Sequence, residues 1–209
     1  ELDALATRVI VPYVIMAVIL GGLALMIIKA HLPEVNQDDD ETAGTRELAK
    51  GKSSLFDFPH LILGVICIFA YVGVEVIAID TIGLYGQFMG FDLDVASKFG
   101  IYSLIALTIG YLLGIVVIPK YLKQRNALII CAVLRLIFSL AALFTHGTAS
   151  IIFIILLSFA HALMWPSIWP LAIDKLGVFT KTGSALLIMG ICGGAILPLV
   201  YGAIADSTN

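Results

Sequence analysis

The sequence predicts an all-α, polytopic membrane protein, a bundle of six transmembrane helices. Three observations predict it. Hydrophobic residues make up 60% of the 209 residues and charged residues 13%, against roughly 45–50% and roughly 25% in soluble domains, and the mean hydropathy is +1.05. The apolar residues gather into six runs of the roughly 20 residues that a helix needs to cross a bilayer. The basic residues concentrate in alternate connections between those runs. A soluble domain of this composition would lack the polar surface to cover itself, which excludes a disordered chain, a nucleic-acid binder and an ordinary cytosolic enzyme. The net charge of -3 carries no information about partners, because the charges are segregated into loops.

The first run, 9–28, is apolar throughout and stops at Lys29. The second, 60–82, carries Tyr71, Glu75 and Asp80 among apolar residues. The third, 99–118, contains Gly110 and Gly114. The fourth, 126–145, is interrupted only by Arg135 near its middle. The fifth, 150–173, holds His161, Trp165, Pro166, Trp169 and Pro170. The sixth, 183–205, holds Gly190, Gly193, Gly194 and Pro198. All six are too long for strands and lack the alternation of a membrane barrel. The chain starts at Glu1 with no Met and no charged start before a short apolar run, so it reads as a piece of something longer.

Lys29, Arg46, Lys50 and Lys52 lie between the first two runs, Lys120, Lys123 and Arg125 between the third and fourth, and Lys175 and Lys181 between the fifth and sixth. These are nine of the twelve basic residues, while the alternate connections hold Lys98 alone. The positive-inside rule places the basic loops in the cytoplasm, with both ends of the chain outside. Only the first connection is long. Its Asp38-Asp39-Asp40-Glu41 run and its Gly, Thr, Lys and Ser content mark a flexible cytoplasmic linker, read as a tether between helical units, with docking or regulation as the alternative.

Small residues mark close helix approach. Gly110 and Gly114 form a G-x-x-x-G on the third span, as do Gly190 and Gly194 on the sixth, with Gly193 adjacent. Pro166, Pro170 and Pro198 interrupt their helices, and freed carbonyls at depth are tolerated where neighbours or a cavity satisfy them. Cys67, Cys131 and Cys192 fit neither a disulfide framework nor a metal spacing and read as small apolar residues. No cofactor or metal is expected.

Ionisable residues at depth carry the functional information, since a charge near the bilayer centre costs at least about 2.5–3.5 kcal/mol. Tyr71 and Glu75 share one helical face. His161, Trp165 and Trp169, four residues apart in turn, form one stripe. Sugar rings present flat C–H faces and hydroxyl edges; an aromatic ring covers the first, while a carboxylate or imidazole binds the second. Tyr71, Glu75, His161, Trp165 and Trp169 are therefore the candidate substrate-binding residues, if the second and fifth spans face each other. Each has a bland counterpart. Tryptophans anchor helices at the interface, which suits Trp169 in particular. Glu75 could be a structural acid, and His161 a satisfied neutral histidine or a proton relay. Asp80 is expected to be wetted from outside. Arg135 could pair with Glu75, but a structural partner or snorkelling fits it better.

The stretch HALMWPSIWPLAIDKLGVFTKTGS (161–184), followed by GGAILP (193–198), closely resembles the major facilitator superfamily, and within it the fucose, glucose and galactose proton-symporter family. YVGVEV (71–76) resembles that family's seventh helix and PKYL (119–122) its loop after helix eight. The likeness runs over most of 55–206. It implies a twelve-helix transporter of which this chain holds helices six to eleven: a major-facilitator-type C-terminal half plus one preceding helix. Residues 1–29 would end the N-terminal half, 30–58 would be the cytoplasmic linker between halves, and 59–209 would supply five of the six helices of the C-terminal half. The superfamily builds each half from inverted three-helix repeats around a midplane site, so the second and fifth spans would be equivalent, cavity-lining helices and Arg135 would sit on a peripheral one. The family's proton-carrying acids belong to the missing half, so no proton site is carried over.

The function expected is secondary active transport of a monosaccharide of the fucose, glucose or galactose class across the cell inner (cytoplasmic) membrane, with protons, by alternating access. The partners expected are the sugar, protons and the lipid bilayer, with no nucleic acid, and the full-length protein is expected to be a monomer. A transporter of another small solute, such as a nucleoside or amino sugar, is the alternative, as is a non-transporting membrane sensor. An integral-membrane enzyme would need a clustered metal set or a nucleophile with its base; the spacing offers neither, and no catalytic residue is assigned.

Overall fold

The structure, a computed structural model, describes residues 2–29, 54–118 and 120–208, with side chains from residue 10 onward. The chain divides into two units, residues 1–40 and 41–209. In the first, α1 (Leu2–Lys29) is one helix with Pro12 inside it, and Ile10–Lys29 is long and apolar enough to cross a membrane. Most of the linker expected at 30–58, including its acidic run, lies outside the described residues.

The second unit contains α2 (Pro59–Phe88), α3 (Leu93–Val117), α4 (Gln124–Phe144), α5 (Thr148–His161), α6 (Met164–Ile173), α7 (Thr180–Gly190) and α8 (Gly193–Thr208), with 3-10 turns at Leu55–Asp57 and Gly177–Phe179. The described residues contain no strand. The six predicted spans are all present, with α5 and α6 together making the fifth and α7 and α8 the sixth. The first 3-10 turn opens on a capping box: Ser54 Oγ accepts from the Phe56 amide, and the Ser54 amide donates to Asp57 Oδ2. Pro59 then stands at the start of α2, where its missing N–H costs nothing.

α2 continues past the predicted end at 82 to Phe88, because nothing stops it before Gly90. There the Phe91 amide donates to Gly86 O and the Gly90 amide to Gln87 O, while Gly90 takes a φ of +88°. This is a Schellman cap, and the left-handed residue it needs is the glycine. Thirty residues rise roughly 45 Å, more than the roughly 30 Å hydrocarbon layer, so α2 is long enough to tilt or to project from it.

The last two spans are broken where the sequence suggested only kinks. Pro166 cannot donate to Ala162 O, and its ring crowds that carbonyl; α5 accordingly ends at His161, and α6 starts afresh at Met164. The sixth span breaks at Ile191–Cys192, before Pro198 and between the glycines of its small-residue face.

α2 is the central helix of this unit, packing on α3, α5, α6, α7 and α8, while α4 packs on α5 and α6 at the periphery. Two apolar clusters lie along α2. One joins Leu61, Ile68 and Tyr71 to Met164, Ile168, Ala172 and Leu187; the other joins Ile82 to Ala96, Phe99 and Ile151. Both predicted small-residue faces lie at close contacts. A Cβ at Gly110 would stand 2.7 Å from Phe159 O, and one at Gly190 would stand 3.1 Å from Val65 O. At Gly193 it would meet the backbone of Phe69.

Candidate functional site

The packing of α2 against α5 and α6 brings the second and fifth spans face to face, the condition on which the sequence-based candidates depended. Tyr71 is buried (4% exposed) and Glu75, one turn further on, is half-buried. His161, the last residue of α5, is fully buried. Its ring lies 6.0 Å from that of Tyr71, tilted by 45°.

The tautomer of His161 follows from its neighbours. Nδ1 lies 2.8 Å from Leu157 O, a carbonyl that can only accept, so Nδ1 carries the proton. Nε2 then presents a lone pair, and it is buried with no partner in the structure. A buried acceptor without a donor is costly, and a hydroxyl or a water delivered to this point would satisfy it.

Two further groups complete the cluster. The Tyr71 hydroxyl interacts with the Glu75 carboxylate and the Tyr111 hydroxyl of α3. The Arg135 guanidinium stands over the Tyr71 ring, its Cζ 5.6 Å from the centroid, and lies within electrostatic reach of Glu75 and His161. The helix that carries Arg135 is peripheral, as expected, but its long side chain reaches inward to Tyr71 instead of snorkelling away. Beside it a cleft of about 290 Å³ is lined by Val74, Arg135, Ser139 and Leu157 among others. Tyr71 is thus the hub of a polar cluster fed by α2, α3, α4 and α5.

Trp165 and Trp169 lie on α6, beyond the break that follows His161, so the expected continuous stripe is divided between two helices. The two indoles pair with each other at 5.4 Å and 34°, and both pack, half-buried, against the apolar cluster that contains Tyr71. Asp80 is exposed. Among the described residues no group of three or more His, Cys, Asp and Glu side chains is disposed to hold a metal ion. Hydrogen-bonding groups of both kinds, aromatic faces, and one acid beside one base suit a neutral polyhydroxylated molecule better than a strongly charged one.

Sequence reasoning missed Tyr111 and set Arg135 aside. The available signals were the tyrosine between the two glycines of the third span, and the cost of a guanidinium so far from either end of its helix.

Residues 4–198 match the family described as the Major Facilitator Superfamily. The chain is similar to a glucose/galactose transporter of Brucella abortus biovar 1 (strain 9-941), 28% identical over 215 residues covering 98% of this chain and 49% of that protein. It is also similar to the L-fucose-proton symporter of Escherichia coli (strain K12), 26% identical over 208 residues covering 99% and 47%. The chain therefore spans about half the length of the curated relatives it matches. Its fold is similar to the crystal structure of the transporter FucP in the outward conformation, with a TM-score of 0.71 at 23% identity over 94% of this chain and 48% of that one.

Proposed function

The chain belongs to the Major Facilitator Superfamily, and from that premise we propose that it is the central part of a secondary transporter carrying a monosaccharide of the fucose, glucose or galactose class, with protons, across the bacterial inner membrane. Residues 1–29 end one helical half, 30–58 form the cytoplasmic tether, and 59–209 supply most of the other half. The full-length protein acts as a monomer. The two halves rock around a central site and open it alternately to either side.

The observation that carries the proposal is the meeting of Tyr71, Glu75 and His161 between α2 and α5, in a chain whose relatives bear the names of sugar carriers. In the proposed mechanism, Nε2 of His161 accepts from one sugar hydroxyl, while the Glu75 carboxylate accepts from another. The indoles of Trp165 and Trp169 offer flat faces to the C–H side of the ring. These contacts replace the hydration that the sugar loses on entry. Rocking then exposes the loaded site to the other side. Arg135, held over Tyr71, offsets the formal charge of Glu75 and keeps the site from drawing in cations unspecifically.

The test is counterflow of labelled fucose, glucose and galactose by the full-length protein in proteoliposomes, with and without a pH gradient. Uptake of at least one of the three sugars is expected, accelerated by an inward proton gradient. Glu75→Gln and Trp165→Ala are expected to cut that uptake by tenfold or more, the loss of about one well-made contact each, while both variants still insert. Uptake of none of the sugars would remove the substrate assignment, and wild-type rates in both variants would remove the site.

A further inference from the structure

We propose that an anionic phospholipid of the cytoplasmic leaflet docks between α3, α4 and α6, with an acyl chain along an apolar groove and its phosphate held by the basic connection that follows α3. The groove has a volume of about 360 Å³. Its walls are Ile115 and Ile118 from α3 and Leu163 and Pro166 from the start of α6, with Tyr111 on the wall toward the helix centre and Gln124 at its polar end. Two of its lining residues, Ile118 and Gln124, flank the connection that holds Lys120 and Lys123, and Arg125 follows on the first turn of α4; all three cations are exposed.

Charge complementarity selects the occupant. No Asp or Glu occurs anywhere from 95 to 173, so α4, α5, α6 and the cytoplasmic end of α3 carry no acid to set against these three cations; Asp94 lies at the opposite end of α3, and Asp174 caps the cytoplasmic end of α6. A positive rim over an apolar slot matches a phosphate over an acyl chain. It does not match a free sugar, for which the groove offers little beyond Tyr111 and Gln124. Positively charged recesses between helices on the cytoplasmic face are where anionic headgroups collect, each Lys or Arg contributing about 1 kcal/mol, or about fivefold in affinity. The placement depends on the cytoplasmic side of the 118–124 connection and is independent of which solute is carried.

The groove also touches the candidate site. Tyr111 lines the groove, and its hydroxyl interacts with Tyr71 and Glu75. A seated acyl chain would hold the Tyr111 ring on its groove side, so lipid occupancy would steady one member of the polar cluster.

The experiment is native mass spectrometry of the purified full-length protein with phosphatidylglycerol or phosphatidylcholine of identical chains. Phosphatidylglycerol is expected to stay bound under activation that strips phosphatidylcholine. The exposed triple variant Lys120→Gln, Lys123→Gln, Arg125→Gln is expected to lose on the order of a hundredfold in retention. Ile115→Trp, which fills the slot and leaves every cation in place, is expected to lose it as well. Equal retention of both lipids, or undiminished retention in the charge variant, overturns the proposal. So does undiminished retention in Ile115→Trp, which would leave only a charged surface. Displacement of the lipid by fucose, glucose or galactose would assign the groove to the solute pathway instead. Because the readout is binding, its failure leaves the sugar-transport proposal standing, and failed transport leaves the lipid result intact.

Discussion

Tyr71 does two separable jobs in the cluster. Its ring lies under the Arg135 guanidinium and against the His161 imidazole; its hydroxyl reaches Glu75 and Tyr111. A guanidinium at this depth needs compensation, and a desolvated cation–π contact supplies about 2 kcal/mol of it. Tyr71→Phe keeps the ring and removes the hydroxyl. It is expected to melt in detergent close to the wild type while losing about tenfold in apparent substrate affinity, the worth of roughly one hydrogen bond. Tyr71→Leu removes both and is expected to melt clearly lower. Equal melting temperatures for the two variants would show that the ring does not hold Arg135. Tyr71, Glu75 and His161 were legible in the sequence because a polar group inside an apolar run has few bland explanations and because helical spacing fixes which residues share a face. Arg135 was not, since the family resemblance implies that its helix is peripheral but not how far a long, flexible side chain reaches across to a neighbour.

The number and order of the spans were readable from run length, and the tight faces from glycine spacing, because both depend on geometry that repeats along a helix. The breaks were less readable. Pro166 announces a disturbance one turn upstream, yet whether the chain bends or stops there depends on tertiary packing that spacing does not encode; at this break Phe159 and Ala162 sit close against Gly110 of α3. The same logic distinguishes glycines that look alike in the sequence. A Cβ at Gly193 would run into the backbone of Phe69 on α2, whereas at Gly202, further along α8, it would meet nothing within 4 Å. Backbone cannot swing aside as a side chain can, so Gly193→Ala is expected to destabilise the protein by about 1–3 kcal/mol, the usual cost of overpacking. Gly202→Ala is expected to be neutral or slightly stabilising, since alanine is the better helix former. Thermal unfolding of the two variants side by side reads the difference, and similar losses in both would mean that α2 and α8 do not approach as closely as described.

Across the whole molecule, one choice of orientation governs both proposals, because it decides which end of α3 meets the cytoplasm. Asp92 lies in the α2–α3 connection, with Asp94 in the first turn of α3 and Lys98 one turn further on, whereas the α3–α4 connection carries Lys120 and Lys123, with Arg125 in the first turn of α4. Translocating a short basic loop is disfavoured, so the α3–α4 connection should remain inside and the α2–α3 turn should emerge. A full-length protein with every native cysteine, Cys67, Cys131 and Cys192 among them, replaced by alanine, and carrying either Asp92→Cys or Lys123→Cys, makes this visible to a membrane-impermeant maleimide. Asp92→Cys is expected to label in intact cells. Lys123→Cys is expected to label only after permeabilisation, because α3 separates the two positions by the thickness of the hydrocarbon layer. The opposite pattern would put the basic rim of the groove on the outer leaflet, remove the cytoplasmic lipid from consideration, and turn the polar cluster around Tyr71 to face the reverse direction of transport.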